Sequence, residues 1–227
     1  MAASHIQAVT ADPAGSANTL VISMAAVGTG SGLIAVVAVQ ADTTIVSIVD
    51  NAAGSPNAGK YVDLGKLSGS SYFTWGIYGL NIVGNPTSLT VTWNAAGDYR
   101  HGVLYEGAGL ALSAGLDGFS SLFTAASGPG TDAMTSGAIT TTEDGDYAVA
   151  AFVRTGGGTI ASAGTGWGTF DLTTGFSSEH QIQAAAGSLA GTATITGSAI
   201  DGHAWLIALK PTAAAGAGKP YAIYAQQ

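Results

Sequence analysis

Leu33-Ile34-Ala35-Val36-Val37-Ala38-Val39, followed beyond Ala41-Asp42-Thr43 by Thr44-Ile45-Val46-Ser47-Ile48-Val49, decides the fold class. Each run is short, β-branched and bounded by turn-forming residues, the pattern of a buried strand rather than of a capped helix. The pair reads as a hairpin or as adjacent core strands. Asp50-Asn51-Ala52-Ala53-Gly54-Ser55-Pro56-Asn57 then supplies a loop, because Asn and Asp tolerate turn geometry and Pro has no N–H to give to a ladder. Working outward, short apolar runs recur at residues 72–80, 88–93, 102–106, 147–154, 166–172, 179–184, 190–196 and 204–210, nearly all separated by glycine-rich gaps. No long stretch carries capped helical periodicity. The expected fold is all-β, an antiparallel two-sheet sandwich of jelly-roll type. Along residues 203–209 the large Trp205, Ile207 and Leu209 share one face and the small Ala204 and Ala208 the other. The large face is assigned to the core, and the small one leaves room for a second layer or a subunit.

Residues 1–211 are expected to form the sandwich, with a long excursion near 113–136 built around Gly115, Asp117-Gly118 and Ser127-Gly128-Pro129-Gly130 and anchored by Phe119, Leu122 and Phe123. Such an excursion either covers a sheet edge or binds a ligand. Residues 212–227 read as a flexible link followed by an aromatic tail. There Tyr221, Ile223 and Tyr224 are the candidate assembly residues, adding an edge strand or docking on a neighbour.

Composition limits the function classes. The chain has 227 residues, 47% of them hydrophobic, which excludes disorder from end to end. Only 9% are charged and the net charge is −8, so a basic track for nucleic acid is not expected. So little charge leaves a surface rich in small residues and easily desolvated, which points to a homo-oligomer or to structural-protein neighbours. There is no cysteine, hence no disulfide and no thiolate ligand. The longest dense apolar run, residues 33–39, is far short of the roughly 20 residues of a spanning helix, so membrane insertion is not expected. Met1-Ala2-Ala3-Ser4-His5-Ile6 lacks the basic region and apolar core of a classical secretion signal.

The order of motifs resembles the glycine-rich β-sandwich domains of bacterial extracellular proteins and phage structural proteins. The residues that carry the likeness are the 33–39 strand, Val46-Ser47-Ile48-Val49-Asp50-Asn51-Ala52-Ala53-Gly54, Ala138-Ile139-Thr140-Thr141-Thr142-Glu143-Asp144-Gly145-Asp146-Tyr147-Ala148-Val149, Glu179-His180-Gln181-Ile182-Gln183 and Trp205-Leu206-Ile207-Ala208-Leu209-Lys210-Pro211. The resemblance implies a noncatalytic surface, adhesion or carbohydrate-associated module on a virion or an extracellular surface. It carries no catalytic signature. The chain has Ala52-Ala53 where the family often spells a tight serine/asparagine turn.

Among residues with chemistry to offer, Glu143, Asp144 and Asp146 form the densest acidic group and the candidate calcium site, against the simpler reading of a hairpin turn. Otherwise no cofactor is expected. The four histidines, His5, His101, His180 and His203, are scattered along the chain without metal-site spacing. Abundant serines lack a G-x-S-x-G elbow. A carbohydrate-active hydrolase, the alternative reading, needs two positioned carboxylates, for which Glu106 and Glu179 are the candidates. A solely structural oligomerisation module is the other alternative. For sugar stacking, Trp75 and Tyr78 fall on opposite faces of a regular strand, whereas Trp93, Tyr99 and Tyr105 surround an expected turn with Arg100 beside them. Trp93, Tyr99, Arg100 and Tyr105 are therefore the candidate glycan-contact residues.

Overall fold

The computed structural model describes residues 2–69, 72–124, 130–154, 159–164, 166–168, 171–173, 175–197 and 201–213. The expected assembly residues Tyr221, Ile223 and Tyr224 lie outside this set. All named elements are strands: β1 (Ser4–Ala11), β2 (Ala17–Ser23), β3 (Ser31–Gln40), β4 (Ile45–Asp50), β5 (Tyr61–Ser68), β6 (Phe73–Ile82), β7 (Ser88–Ala108), β8 (Leu116–Thr124), β9 (Gly130–Thr140), β10 (Tyr147–Arg154), β11 (Thr159–Ala163), β12 (Asp171–Thr173), β13 (Phe176–Ile182), β14 (Ser188–Gly197) and β15 (Gly202–Leu209). Every pairing between them is antiparallel.

The fold is all-β and sandwich-like, but it holds more layers than the two expected. In the first half, β1-β7-β3-β6-β5 forms one ply, and the N-terminal part of β7 pairs with β2 and β4 in another. In the second half, β8-β15-β10-β13-β12 and β9-β14-β11 do the same. Each strand from β1 to β6 thus has a counterpart seven strands later, and β7 corresponds to β14 and β15 together. The chain is a structural duplication.

Three hydrophobic cores separate the four plies. Leu20, Ile22, Val37, Trp75, Leu89, Val91 and Trp93 fill the outer core of the first repeat. Met134, Ala148, Phe152, Leu189, Leu206 and Ala208 fill that of the second. Between the repeats lie Ile34, Val36, Tyr105, Tyr147, Val149, Trp205, Ile207 and Leu209. β3, β10 and β15 are therefore covered on both faces, and all but one residue of β3 and of β10 is buried. That is the physical reason for continuous apolar runs where a half-exposed strand would alternate.

The repeats meet through reciprocal contacts, as across a two-fold axis. The register pair Gly32–Gly107 of the first repeat faces the register pair Tyr147–Leu209 of the second. A Cβ at Gly107 would sit 2.7 Å from the Tyr147 ring, and one at Gly32 would sit 3.4 Å from Leu209 Cδ1. Tyr105 donates its hydroxyl to Ser178 Oγ at 2.9 Å, and the matching position, Ile207, packs over Gly76. Large side chains of one sheet settle over glycine or serine of the other.

Two expectations change, and a third is met within the chain itself. Residues 33–39 and 44–49 are not a hairpin, since β3 and β4 belong to different plies and both pair with β7. The excursion near 113–136 contains β8, the edge strand of its sheet, and the start of β9. The small face of Ala204 and Ala208 does meet a second layer, and that layer is the chain's own outer ply of β9, β14 and β11.

Candidate functional site

Of the four expected glycan-contact residues the structure leaves only one outside. Trp93 is a core side chain against Trp75, ring centroids 6.0 Å apart, and Tyr105 is enclosed between the repeats. Arg100 is buried, donating to the carbonyl oxygens of Thr19 and Gly15. The expected cluster assumed a turn between separate strands, whereas Trp93, Tyr99, Arg100 and Tyr105 all belong to the single strand β7, which runs from one ply into the next. Tyr99 sits where β7 bends, at φ 48°, and is 61% exposed. That left-handed backbone is unfavourable for a tyrosine and turns its ring out of the sheet.

The ring of Tyr99 meets Tyr72, which precedes β6, at 6.5 Å between centroids and a 58° tilt. Burial, aided by Tyr99 and Asp12, pushes the half-buried Tyr72 hydroxyl up, while Arg154 at the end of β10 opposes the shift. Asp12 lies 3.2 Å from His101 Nδ1, and the His101 ring stacks on Phe176 of the second repeat at 6.4 Å. Two tyrosines with an acid and a guanidinium near Tyr72 thus converge at the rim where the repeats join. This combination offers ring faces to an apolar surface and charged groups to hydroxyls. Tyr72 precedes a different strand from the one that carries Tyr99, and no spacing in the sequence links it to Asp12 or Arg154.

The acidic candidates are dispersed. Asp144 caps the Ala186 N–H at 2.7 Å and Glu143 is exposed, whereas Asp146 is buried. Asp146 faces Asp117, which accepts hydrogen bonds from Thr142 and lies 3.1 Å from Lys210 Nζ. Burial, reinforced by the hydrogen bond to Asp117 and its charge, pushes Asp146 up to about 8. Burial also opposes ionisation of Asp117, but hydrogen bonds from Asp146, Thr142 and Lys210 outweigh it and hold that carboxyl below the usual range. Of the two carboxyls, Thr142 and Lys210 thus serve Asp117 alone, and a proton held on Asp146 relieves the repulsion between them. The pair borders an open groove of about 800 Å³ along Thr142, Glu143, Asp144, Lys210 and Pro211. Among the described residues no group of three or more His, Asp or Glu side chains is placed to hold a metal ion, so Glu143, Asp144 and Asp146 do not form the calcium site considered above.

Glu106 and Glu179 do not face one another. Glu106, on the same face of β7 as Leu104, accepts from Gln7 Nε2 at 2.6 Å, Gly28 N at 2.8 Å and Ser31 Oγ at 2.7 Å. Glu179, on the outward face of β13, accepts from Gly164 N at 3.0 Å. Two sheets lie between them, each spaced about 10 Å from the next, so they cannot act as acid and base across one bond. Burial raises the Glu179 carboxyl to about 7, against hydrogen bonds from Gly164 and Thr192. Between the ordinary carboxylate range and pH 7 the folded chain keeps a proton that the unfolded chain has released, so stability falls as pH rises through that window. Glu179→Gln is expected to unfold like the parent near pH 4, and to be roughly 2 kcal/mol more stable than the parent above about pH 8. Urea unfolding at both pH values measures this, and equal pH slopes for parent and variant would contradict it.

Comparison with family models, with curated proteins and with solved structures gives no match to the chain.

Proposed function

We propose that the chain is a noncatalytic structural or adhesion module of a bacterial or phage surface assembly, and that the Tyr72–Tyr99 rim contacts a cell-surface glycan. The observation that carries this reading is Tyr99: a large ring 61% exposed, held out by a strained backbone and paired with a second tyrosine. Asp12 and Arg154 near Tyr72 supply the polar contacts that orient a sugar. The family resemblance favours a virion or extracellular setting. Within each repeat the order β1-β7-β3-β6 opposite β2-β7-β4 supports the jelly-roll form of the sandwich.

Contact with neighbouring proteins or other copies is part of the same proposal, since repetition of weak sites raises avidity. The outer face of the first repeat favours it. The register row Val21–Thr90–Val49 lies beside Thr19–Thr92–Ser47 with no charged residue, and Val21 and Val49 are each 50% exposed.

A glycan array probed with the full chain tests the reading. Tyr99→Ala and Tyr72→Ala are expected to weaken any bound glycan about tenfold each, the loss of one aromatic contact, with little change in unfolding temperature for Tyr99→Ala. Binding unaffected by either substitution, or no reproducible binding by a chain of dimeric or larger solution mass, would remove the glycan role.

A further inference from the structure

All four histidines of the chain, distant in sequence, come together between the two repeats. His5 of β1 and His180 of β13 stack across the junction with ring centroids 3.9 Å apart and a 24° tilt. Both rings lie against Tyr105 of β7 and Tyr147 of β10, and His5 Nδ1 is 2.8 Å from the Tyr147 hydroxyl. His101 of β7 stacks on Phe176 of β13, while His203 of β15 reaches back to Thr74 of β6. The last two contacts are reciprocal: His101 pairs in register with Ala38 of β3, and His203 with Val153 of β10, its counterpart.

His203 is fully buried in a small hydrogen-bonded group with Thr74 and Trp205. Trp205 Nε1 can only donate, and it donates to Thr74 Oγ1 at 2.8 Å. Thr74 Oγ1 also lies 3.0 Å from His203 Nδ1, and its hydroxyl donates to or accepts from that nitrogen according to the tautomer of the ring. A second proton on this ring places a charge in a site with no exposure, where Nε2 meets no hydrogen-bond partner among the described residues. At the other rim, two charged imidazoles stacked at 3.9 Å would repel across the junction.

We propose that the interface between the repeats is an acid-responsive seam, in which protonation of His5, His101, His180 and His203 loosens the two facing sheets before the outer core of either repeat gives way. Burial lowers the affinity of all four rings for a proton, with His180 and His203 brought to about 4. The neighbouring charges are few. Glu106 lies near His5, but its oxygens already accept from Gln7, Gly28 and Ser31. Asp12 lies beside His101 and Asp201 near His203, so these two rings are partly compensated. Among the described residues the charged neighbour that acts on His180 is His5, which lowers its affinity for a proton further. In the window between about 6.5 and about 4 the unfolded chain binds protons that the folded one refuses, so the seam weakens as pH falls. Asp146 and Glu179 shift the opposite way and cannot produce this loss.

Hydrogen exchange on the full chain reads the two kinds of core separately, because β10 and β15 line the seam whereas β2 and β4 line only an outer core. On moving from about pH 7.5 to about pH 4.5, and after correction for intrinsic rates, protection in β10 and β15 is expected to drop at least tenfold more than in β2 and β4. His5→Gln with His180→Gln, substitutions at half-exposed sites, should move the midpoint of that loss to lower pH, and His203→Asn provides an independent second variant. Unchanged protection at the lower pH, an equal loss in all plies, or a midpoint that neither variant moves would each overturn the proposal.

Discussion

Gly76→Val is expected to lower the unfolding free energy by about 3 kcal/mol or more, the upper range for overpacking a close-packed core. Its Cβ would lie 2.7 Å from two ring carbons of Trp205 and 3.1 Å from Ile207 Cδ1. The two ring carbons are not the flexible end of a side chain, although Ile207 Cδ1 is. The Trp205 ring is held by its hydrogen bond to Thr74, and Gly76 is held by register pairing with Val36 in the middle of the first repeat's sheet. Relief therefore requires the two repeats to move apart, which uncovers the core they share. Equilibrium denaturation gives the number, and a variant within about 0.5 kcal/mol of the parent would show that the repeats are not in contact there.

Glu106→Ala is the second large effect, expected at about 2–3 kcal/mol because it leaves the buried Ser31 hydroxyl and the part-buried Gln7 amide and Gly28 N–H without this acceptor. The carboxylate is 2% exposed and ties two segments to β7: β1 through Gln7, and the turn into β3 through Gly28 and Ser31. Glu106→Gln keeps one acceptor oxygen but sets an amide against that of Gln7, so it should cost distinctly less. Denaturant unfolding of the pair of variants checks the order. Equal, small losses in both would mean that the donors find water or other acceptors.

The local content of the sequence was legible where one strand decides its own state. The run from Leu33 to Val39 is a strand as expected, and the alternation at Trp205, Ile207 and Leu209 gives the right faces. The number of plies was not legible in the same way. A continuous apolar run reports burial on both sides but does not say whether the cover is another subunit or the same chain. Sparse charge suggested intermolecular contact, and much of it has an internal cause, since the two middle sheets have their central strands covered on both faces. One signal for the duplication was present. His101-Gly102-Val103-Leu104 and His203-Ala204-Trp205-Leu206 share a His-x-x-Leu pattern, Thr90-Val91-Thr92 and Thr192-Ala193-Thr194 share Thr-x-Thr, and the two pairs have the same separation along the chain.

The site was less legible because its parts come from different repeats. Trp93 and Tyr105 have the composition of a sugar platform and the periodicity of core residues, and burial decided between the two. Tyr99 could be singled out, but its partner Tyr72 and the neighbouring Asp12 and Arg154 meet only through tertiary packing. The histidines looked unrelated for the same reason, and so did Asp117 and Asp146.

Everything proposed for the junction depends on the two repeats facing one another through their middle sheets. The direct test is the nuclear Overhauser contact between a Gly76 α-proton and the Trp205 indole ring in the full chain. With the Cβ direction of Gly76 aimed at that ring at 2.7 Å, a strong cross-peak and an α-proton resonance displaced by the ring current are expected. A Gly76 α-proton at its ordinary position with no contact to the indole would contradict the arrangement.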